Sequence, residues 1–251
     1  MLTEQIVIGA VKVCYRQARL PTSMRSKSPM QASCREASDE PSDPSRNLAH
    51  IATDPNGTMS AARLQVDEKV VFNPTDSARY DGFPDHVCRS IQYPNARYFR
   101  KARNDESLFA DWVVLLIKPD ALWADGTKFC ERNAAAKRGT GVKEGEEAFK
   151  SFKSPGVSAY NKTFTRTATH PWTDQQAEVP IPDHIARRDI LGVAVADEPQ
   201  AKRKISRLKQ LKVVISPVII APDFFQPDRL RSKLLSGRLP TEIPFPLWRQ
   251  L

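Results

Sequence analysis

The pattern of apolar and polar positions changes character near residue 47. Before it, residues 5–20 can form a short amphipathic helix or strand. Residues 21–46 carry Ser, Pro and charge with hardly an aliphatic side chain. So little apolar surface cannot offset the entropy of an ordered chain, so this stretch reads as irregular. The expected organisation is an N-terminal extension over residues 1–46 and one folded domain over residues 47–251. Within the domain, residues 66–72 predict a strand ended by Asn73-Pro74. Residues 87–92 predict a second strand, stopped before Pro94, with a helix over 95–103. The continuous run Trp112-Val-Val-Leu-Leu-Ile117 predicts a central strand covered on both faces. Residues 177–181, 190–196 and 213–220 predict further strands. Between the last two, Ala201, Ile205, Leu208 and Leu211 recur at helical spacing among Lys and Arg, predicting a basic helix over 199–211. A closing helix is expected over 228–236, stopped by Gly237. Residues 137–171 hold Gly, Ser, Thr and Lys with few aliphatic side chains. They predict a long connection of the functional or mobile kind.

Charge adds a partner class. The 251 residues carry a net charge of +9, which attracts polyanions such as nucleic acid. The 4 cysteines, Cys14, Cys34, Cys88 and Cys130, show no Cys-x-x-Cys spacing. Neither a zinc site nor a disulfide framework is expected, and a reducing cytoplasm is the default compartment. The best apolar run, residues 6–15, is interrupted by Lys12, so neither a membrane span nor a secretory signal is expected. The 4 histidines are scattered and suggest no metal.

Candidate chemistry is sparse. Arg138-Gly-Thr-Gly141 resembles a phosphate loop, but no Gly-Lys-Ser/Thr follows it. No Gly-x-Ser-x-Gly occurs. Gln176-Ala-Glu178 stands where a long polar loop enters a predicted strand. There a carboxylate can reach a substrate or simply face solvent.

Several segments taken in order resemble the DarT family of DNA ADP-ribosyltransferases. They are Asp76-Ser-Ala-Arg-Tyr-Asp-Gly-Phe83, then Val87-Cys-Arg-Ser-Ile-Gln-Tyr-Pro-Asn-Ala-Arg-Tyr-Phe99, and Trp112-Val-Val-Leu-Leu-Ile117. Phe129-Cys-Glu-Arg-Asn-Ala-Ala135, Gln176-Ala-Glu-Val179 and Ile181-Pro-Asp-His-Ile185 complete the set. The resemblance covers about residues 47–242. It implies an α+β fold of the ADP-ribosyltransferase type, with split, antiparallel-rich sheets around an NAD cleft and flanking helices. It implies Glu178 and Arg79 as catalytic residues, and NAD as co-substrate held by Arg79, Asn133 and Asn47. Gln176 would orient the acceptor base.

The loop before Glu178 would recognise the acceptor. It offers Lys143, Lys150, Lys153, Lys162 and Arg166 for phosphates, with Phe149, Phe152, Tyr160 and Phe164 between them for base stacking. That mixture suits single-stranded DNA. The bland alternative is a solvated loop with its aromatics packed inward. The family's His-x-Thr-like element before the Asn-Leu pair is replaced here by Pro41-Ser-Asp-Pro-Ser-Arg46, which predicts weaker NAD binding. The function expected is NAD-dependent ADP-ribosylation of a DNA base by a cytoplasmic toxin, reversed by a macrodomain-type antitoxin. Two alternatives stand beside it: an inactive relative that keeps nucleic-acid binding, and transfer to RNA.

Overall fold

The computed structural model describes residues 45–66, 80–105, 112–152, 156–159, 162–165, 175–215 and 217–246. In chain order these form α1 (Ser45–Thr53), β1 (Thr58–Met59), α2 (Ala61–Val66), β2 (His86–Ser90), α3 (Ala96–Asp105) and β3 (Val114–Ile117). Then come β4 (Lys128–Cys130), β5 (Val142–Glu144), α4 (Gly145–Ser151), β6 (Gly156–Ala159), β7 (Lys162–Thr165) and β8 (Glu178–Pro182). Last are β9 (His184–Ile185), β10 (Ile190–Val195), α5 (Glu198–Gln210), β11 (Val218–Ile220), α6 (Pro227–Leu235) and β12 (Ile243–Pro244).

Two four-stranded sheets organise the molecule. One has the order β12-β11-β10-β3. Its β10–β11 pair is parallel and its other pairs are antiparallel. A parallel pair needs a crossover, and α5 supplies it. Asp197 caps α5 by accepting the Gln200 N–H at 2.7 Å. The Gln200 side chain ties the start of the helix to the sheet, accepting from Ala196 N at 2.7 Å and donating to the Trp112 carbonyl at 2.8 Å. The helix buries Ala201, Ile205 and Leu208, three of the four residues of the predicted stripe; the fourth, Leu211, caps the C-terminus and is exposed. All four residues of β3 are buried. Leu115 and Ile117 join one apolar cluster, while Val114 and Leu116 join another with α3 and α6 residues. The strand is thus covered on both faces, as its unbroken apolar run required, but it stands at the edge of the described sheet rather than at its centre.

The second sheet, β2-β8-β4-β5, is antiparallel throughout. Its strands alternate. Val87, Val179, Ile181 and Phe129 face the core shared with the first sheet and with α1 and α5. His86, Cys88, Ser90, Glu178 and Cys130 take the opposite face. The two-sheet α+β architecture therefore leaves one face of the second sheet for chemistry.

Several expectations are corrected. Val66 ends α2 rather than opening a strand, and residues 67–72 lie outside the described residues. The strand expected over 213–220 shortens to β11, because Gly192 faces the Pro217 backbone closely and the preceding stretch is irregular. The connection expected over 137–171 contains β5, α4, β6 and β7. Its strands are too short to show a period. α1 starts at Ser45, two residues before the expected domain start at 47. The stretches 5–20 and 21–44 lie outside the described residues. No helix among the described residues is long and apolar enough to cross a membrane. No three His, Cys, Asp or Glu side chains there group as metal ligands.

Candidate functional site

Glu178 opens β8, half-buried, in register with Ser90 on β2 and Cys130 on β4. Directly opposed residues share a face, so the three side chains stand side by side on the face turned away from the core. Glu178 Oε2 accepts the Ala134 N–H at 2.8 Å. A backbone donor holds a carboxylate in place with little entropy cost. Ser90 is buried, and its Oγ accepts the Asn95 N–H at 3.1 Å. Asn95 in turn accepts the Tyr98 N–H at 3.1 Å, fixing the start of α3. Burial, and then the Glu178 and Glu131 carboxylates, push the Cys130 thiol up. Burial thus favours the neutral thiol of Cys130 on this face.

Residues 131–141 join β4 to β5 and rise from the sheet end that carries Glu178. Asn133 shapes this loop: its Oδ1 accepts the Ala135 N–H and its carbonyl accepts the Ala136 N–H, both at 2.9 Å. The far limb crosses toward β2. A Cβ on Gly139 would lie 2.3 Å from the Asp81 carbonyl oxygen, so only glycine fits. Asp81 is anchored on β2, where its Oδ2 accepts the Cys88 thiol at 3.3 Å. The loop thus arches from β4 over β8 to the β2 side. At its crest Lys137 (φ 51°), Arg138 (φ 56°) and Gly139 (φ 80°) are all left-handed. For a residue with a Cβ that conformation costs about 1–2 kcal/mol.

The other expected site residues are distributed unevenly. Arg79 and Lys153 lie outside the described residues. Asn47 lies in α1 and Lys162 on β7. Gln176 occupies a turn ahead of β8, so the strand alternation that would give it the face of Glu178 does not apply. Lys150 is exposed on α4, within 3.1 Å of Glu146 and 2.8 Å of Glu147. Those carboxylates raise its pKa and compete with any phosphate. Phe149 and Phe152 pack inward: Phe152 is 0% exposed, and both rings meet Phe129. For these two the inward-packed alternative holds. Ser90, Asn95, Asp81 and Ala134 lie inside the segments that carry the family resemblance, but nothing in the sequence singled them out within those segments. Gly139 had a local one, but its phosphate-loop reading is replaced by close backbone packing.

A family comparison decides the class of protein. The family described as "DarT: ssDNA thymidine ADP-ribosyltransferase" matches residues 43–226. The chain belongs to the DarT family. Membership bears out ADP-ribosyl transfer to single-stranded DNA as the family's activity, together with the ADP-ribosyltransferase fold, and it narrows the family's acceptor base to thymidine. Solved DarT structures are similar at low identity. The chain is 16% identical to Thermosipho africanus DarTG in complex with ADP-ribose, at a TM-score of 0.49, covering 72% of this chain and 49% of that one. It is 12% identical to Thermus sp. 2.9 DarT in complex with NAD+, at a TM-score of 0.48, covering 90% of this chain and 100% of that one. For Thermus sp. 2.9 DarT in complex with ADP-ribosylated ssDNA the identity is 13%, the TM-score 0.48, and the coverage 72% and 92%. The chain thus spans about half of the Thermosipho DarTG chain. No curated protein matches the sequence.

Proposed function

We propose that this DarT-family chain transfers ADP-ribose from NAD to thymidine in single-stranded DNA, with Glu178 as the catalytic carboxylate. The observation that supports this most is the placement of Glu178. It stands at a strand start, on the face turned away from the core, with one oxygen held by a backbone amide. Cleavage of the bond between nicotinamide and ribose C1′ sends the electron pair out with nicotinamide. The ribose acquires oxocarbenium character, as in glycoside cleavage. A fixed carboxylate beside it stabilises that charge more than it stabilises bound NAD. In a thymidine nucleoside the remaining ring N–H is at N3. As N3 bonds to C1′, its proton passes to the Glu178 carboxylate, and the charges balance.

Arg79 is assigned to the pyrophosphate, for which a planar set of donors is well suited. Asn47 and Asn133 are assigned to the NAD pocket. Gln176, Lys150, Lys153 and Lys162 are assigned to the acceptor, although the carboxylates around Lys150 make it the weakest of these. The reading extends to a cytoplasmic toxin whose modification a macrodomain-type antitoxin removes.

The test incubates the purified chain with NAD and oligonucleotides with and without thymidine, scored by mass. Adducts only on thymidine-containing single strands are expected. Glu178→Gln should lower the rate at least about 100-fold, the scale of one preorganised electrostatic group, with the circular dichroism unchanged. Equal rates in parent and variant would remove Glu178 from the chemistry.

A further inference from the structure

Lys137 and Arg138 stand out among the described basic residues around the site. Both are exposed, and neither meets a carboxylate among the described residues. Nearby Lys128 and Lys150 are both paired with glutamates. The two cations occupy consecutive left-handed positions, which side chains rarely adopt. The turn is held from both sides. Ala134, three residues before Lys137, donates to Glu178, and Gly139 packs on the Asp81 backbone. A conformation that is locally unfavourable persists only where the surroundings over-determine it, and such sites cluster where ligands are clamped. Here the clamp leaves two exposed positive charges three and four residues along the chain from the amide that holds Glu178.

We infer that Lys137 and Arg138 bind the phosphodiester backbone of the acceptor strand and set which nucleotide reaches Glu178. The inference rests on the proposed transfer to single-stranded DNA and deepens it. An acceptor base must approach C1′ from the open side, and its flanking phosphates then pass the crest of this arch. Cations there neutralise phosphates without reading sequence, while the base enters the site below. The pyrophosphate of NAD offers the same chemistry. It belongs to the donor, and NAD binding measured beside DNA binding separates the two.

The test uses Lys137→Gly with Arg138→Gly in the full chain. Glycine accepts the left-handed turn, so the cations are removed while the turn is kept. An unchanged or higher melting temperature is expected. Binding of a fluorescent thymidine-containing single strand is measured by anisotropy across a salt series, and NAD binding by calorimetry. The expected result is DNA affinity lowered several-fold. Two lost contacts should make the log–log salt slope shallower by about 1.4, at ~0.7 per phosphate on single strands. NAD affinity should be unchanged.

An unaltered slope overturns the inference. So does a loss of NAD affinity with the slope retained, which would assign the cations to the donor pyrophosphate. A parent that binds no single-stranded DNA also overturns it. Transfer assays on the same samples separate the two readings. A parent that transfers normally while slopes match defeats only the role of Lys137 and Arg138. A parent that binds DNA through these cations but transfers nothing defeats the proposed catalysis.

Discussion

Replacing Arg89 by methionine should make this protein more stable. Arg89 lies in the middle of β2 opposite Val179, on the face that carries Val87 and Ile181 into the core. It is 1% exposed. None of its three guanidinium nitrogens has a hydrogen-bond acceptor. Burial alone pushes its pKa down to about 9, well below the ordinary guanidinium range. The group therefore stays charged at neutral pH, in an apolar setting and without a partner among the described residues. An uncompensated buried charge typically costs about 3–5 kcal/mol. Methionine keeps a long flexible apolar stem and removes the charge. Some repacking loss is expected, which leaves a net gain of about 2–4 kcal/mol.

Urea unfolding at pH 7 followed by circular dichroism measures this, with an unchanged slope guarding the two-state reading. A pH arm makes the cause specific. The folded pKa lies below the unfolded one, so above about pH 9 the unfolded chain holds the extra proton. The penalty is complete below pH 9, and parent stability rises relative to the variant as pH climbs above it. The methionine advantage should therefore narrow from pH 8 to pH 10. A variant less stable than the parent at pH 7, or an advantage independent of pH, would refute the reasoning. The guanidinium would then have an anionic partner.

Two further outcomes are expected. Asp223 is fully buried, and its Oδ2 accepts Lys233 Nζ at 2.6 Å and the Thr241 N–H at 2.7 Å. Burial raises its pKa, but Lys233 and Thr241 outweigh that and hold it below the usual 3.8. Asp223→Asn should cost about 2–3 kcal/mol at pH 7, the scale of charge-assisted bonds. Because the folded pKa is depressed, that contribution is present above 3.8 and is lost as pH falls through the folded value. Parent and variant should converge in acid urea titrations, and a constant difference would point to packing instead. Gly139→Ala puts a Cβ 2.3 Å from the Asp81 oxygen at φ 80°. It should destabilise by about 1–3 kcal/mol and slow transfer by displacing the arch that holds Glu178. A melting temperature and turnover equal to the parent would show that the arch does not position the carboxylate.

What could be read without the fold was local and periodic. The apolar stripe of α5 and the unbroken run of β3 are set by side chains within one element, so spacing alone revealed them. Glu178 was legible as a carboxylate where a polar loop meets a strand, and the ordered motifs around it pointed to the family. Pairing is another matter. That Ser90 and Cys130 flank Glu178 depends on the register of strands up to 88 residues apart along the chain, which no local window contains. Gln176, two residues from Glu178, seemed to share its face only until the strand proved to begin at Glu178 itself. Phe149 and Phe152 looked equally ready to stack bases or to fill a core. The choice fell to Phe129 and the apolar face of the sheet, which bury them. Arg89 carries a charge in a motif that otherwise reads as an ordinary strand, and only the two-sheet packing made it a buried one. Burial and register arise from contacts between distant segments, whose favourable energy appears only once the whole chain has collapsed. They are therefore decided by tertiary structure, while amphipathic period and chemical type are present residue by residue.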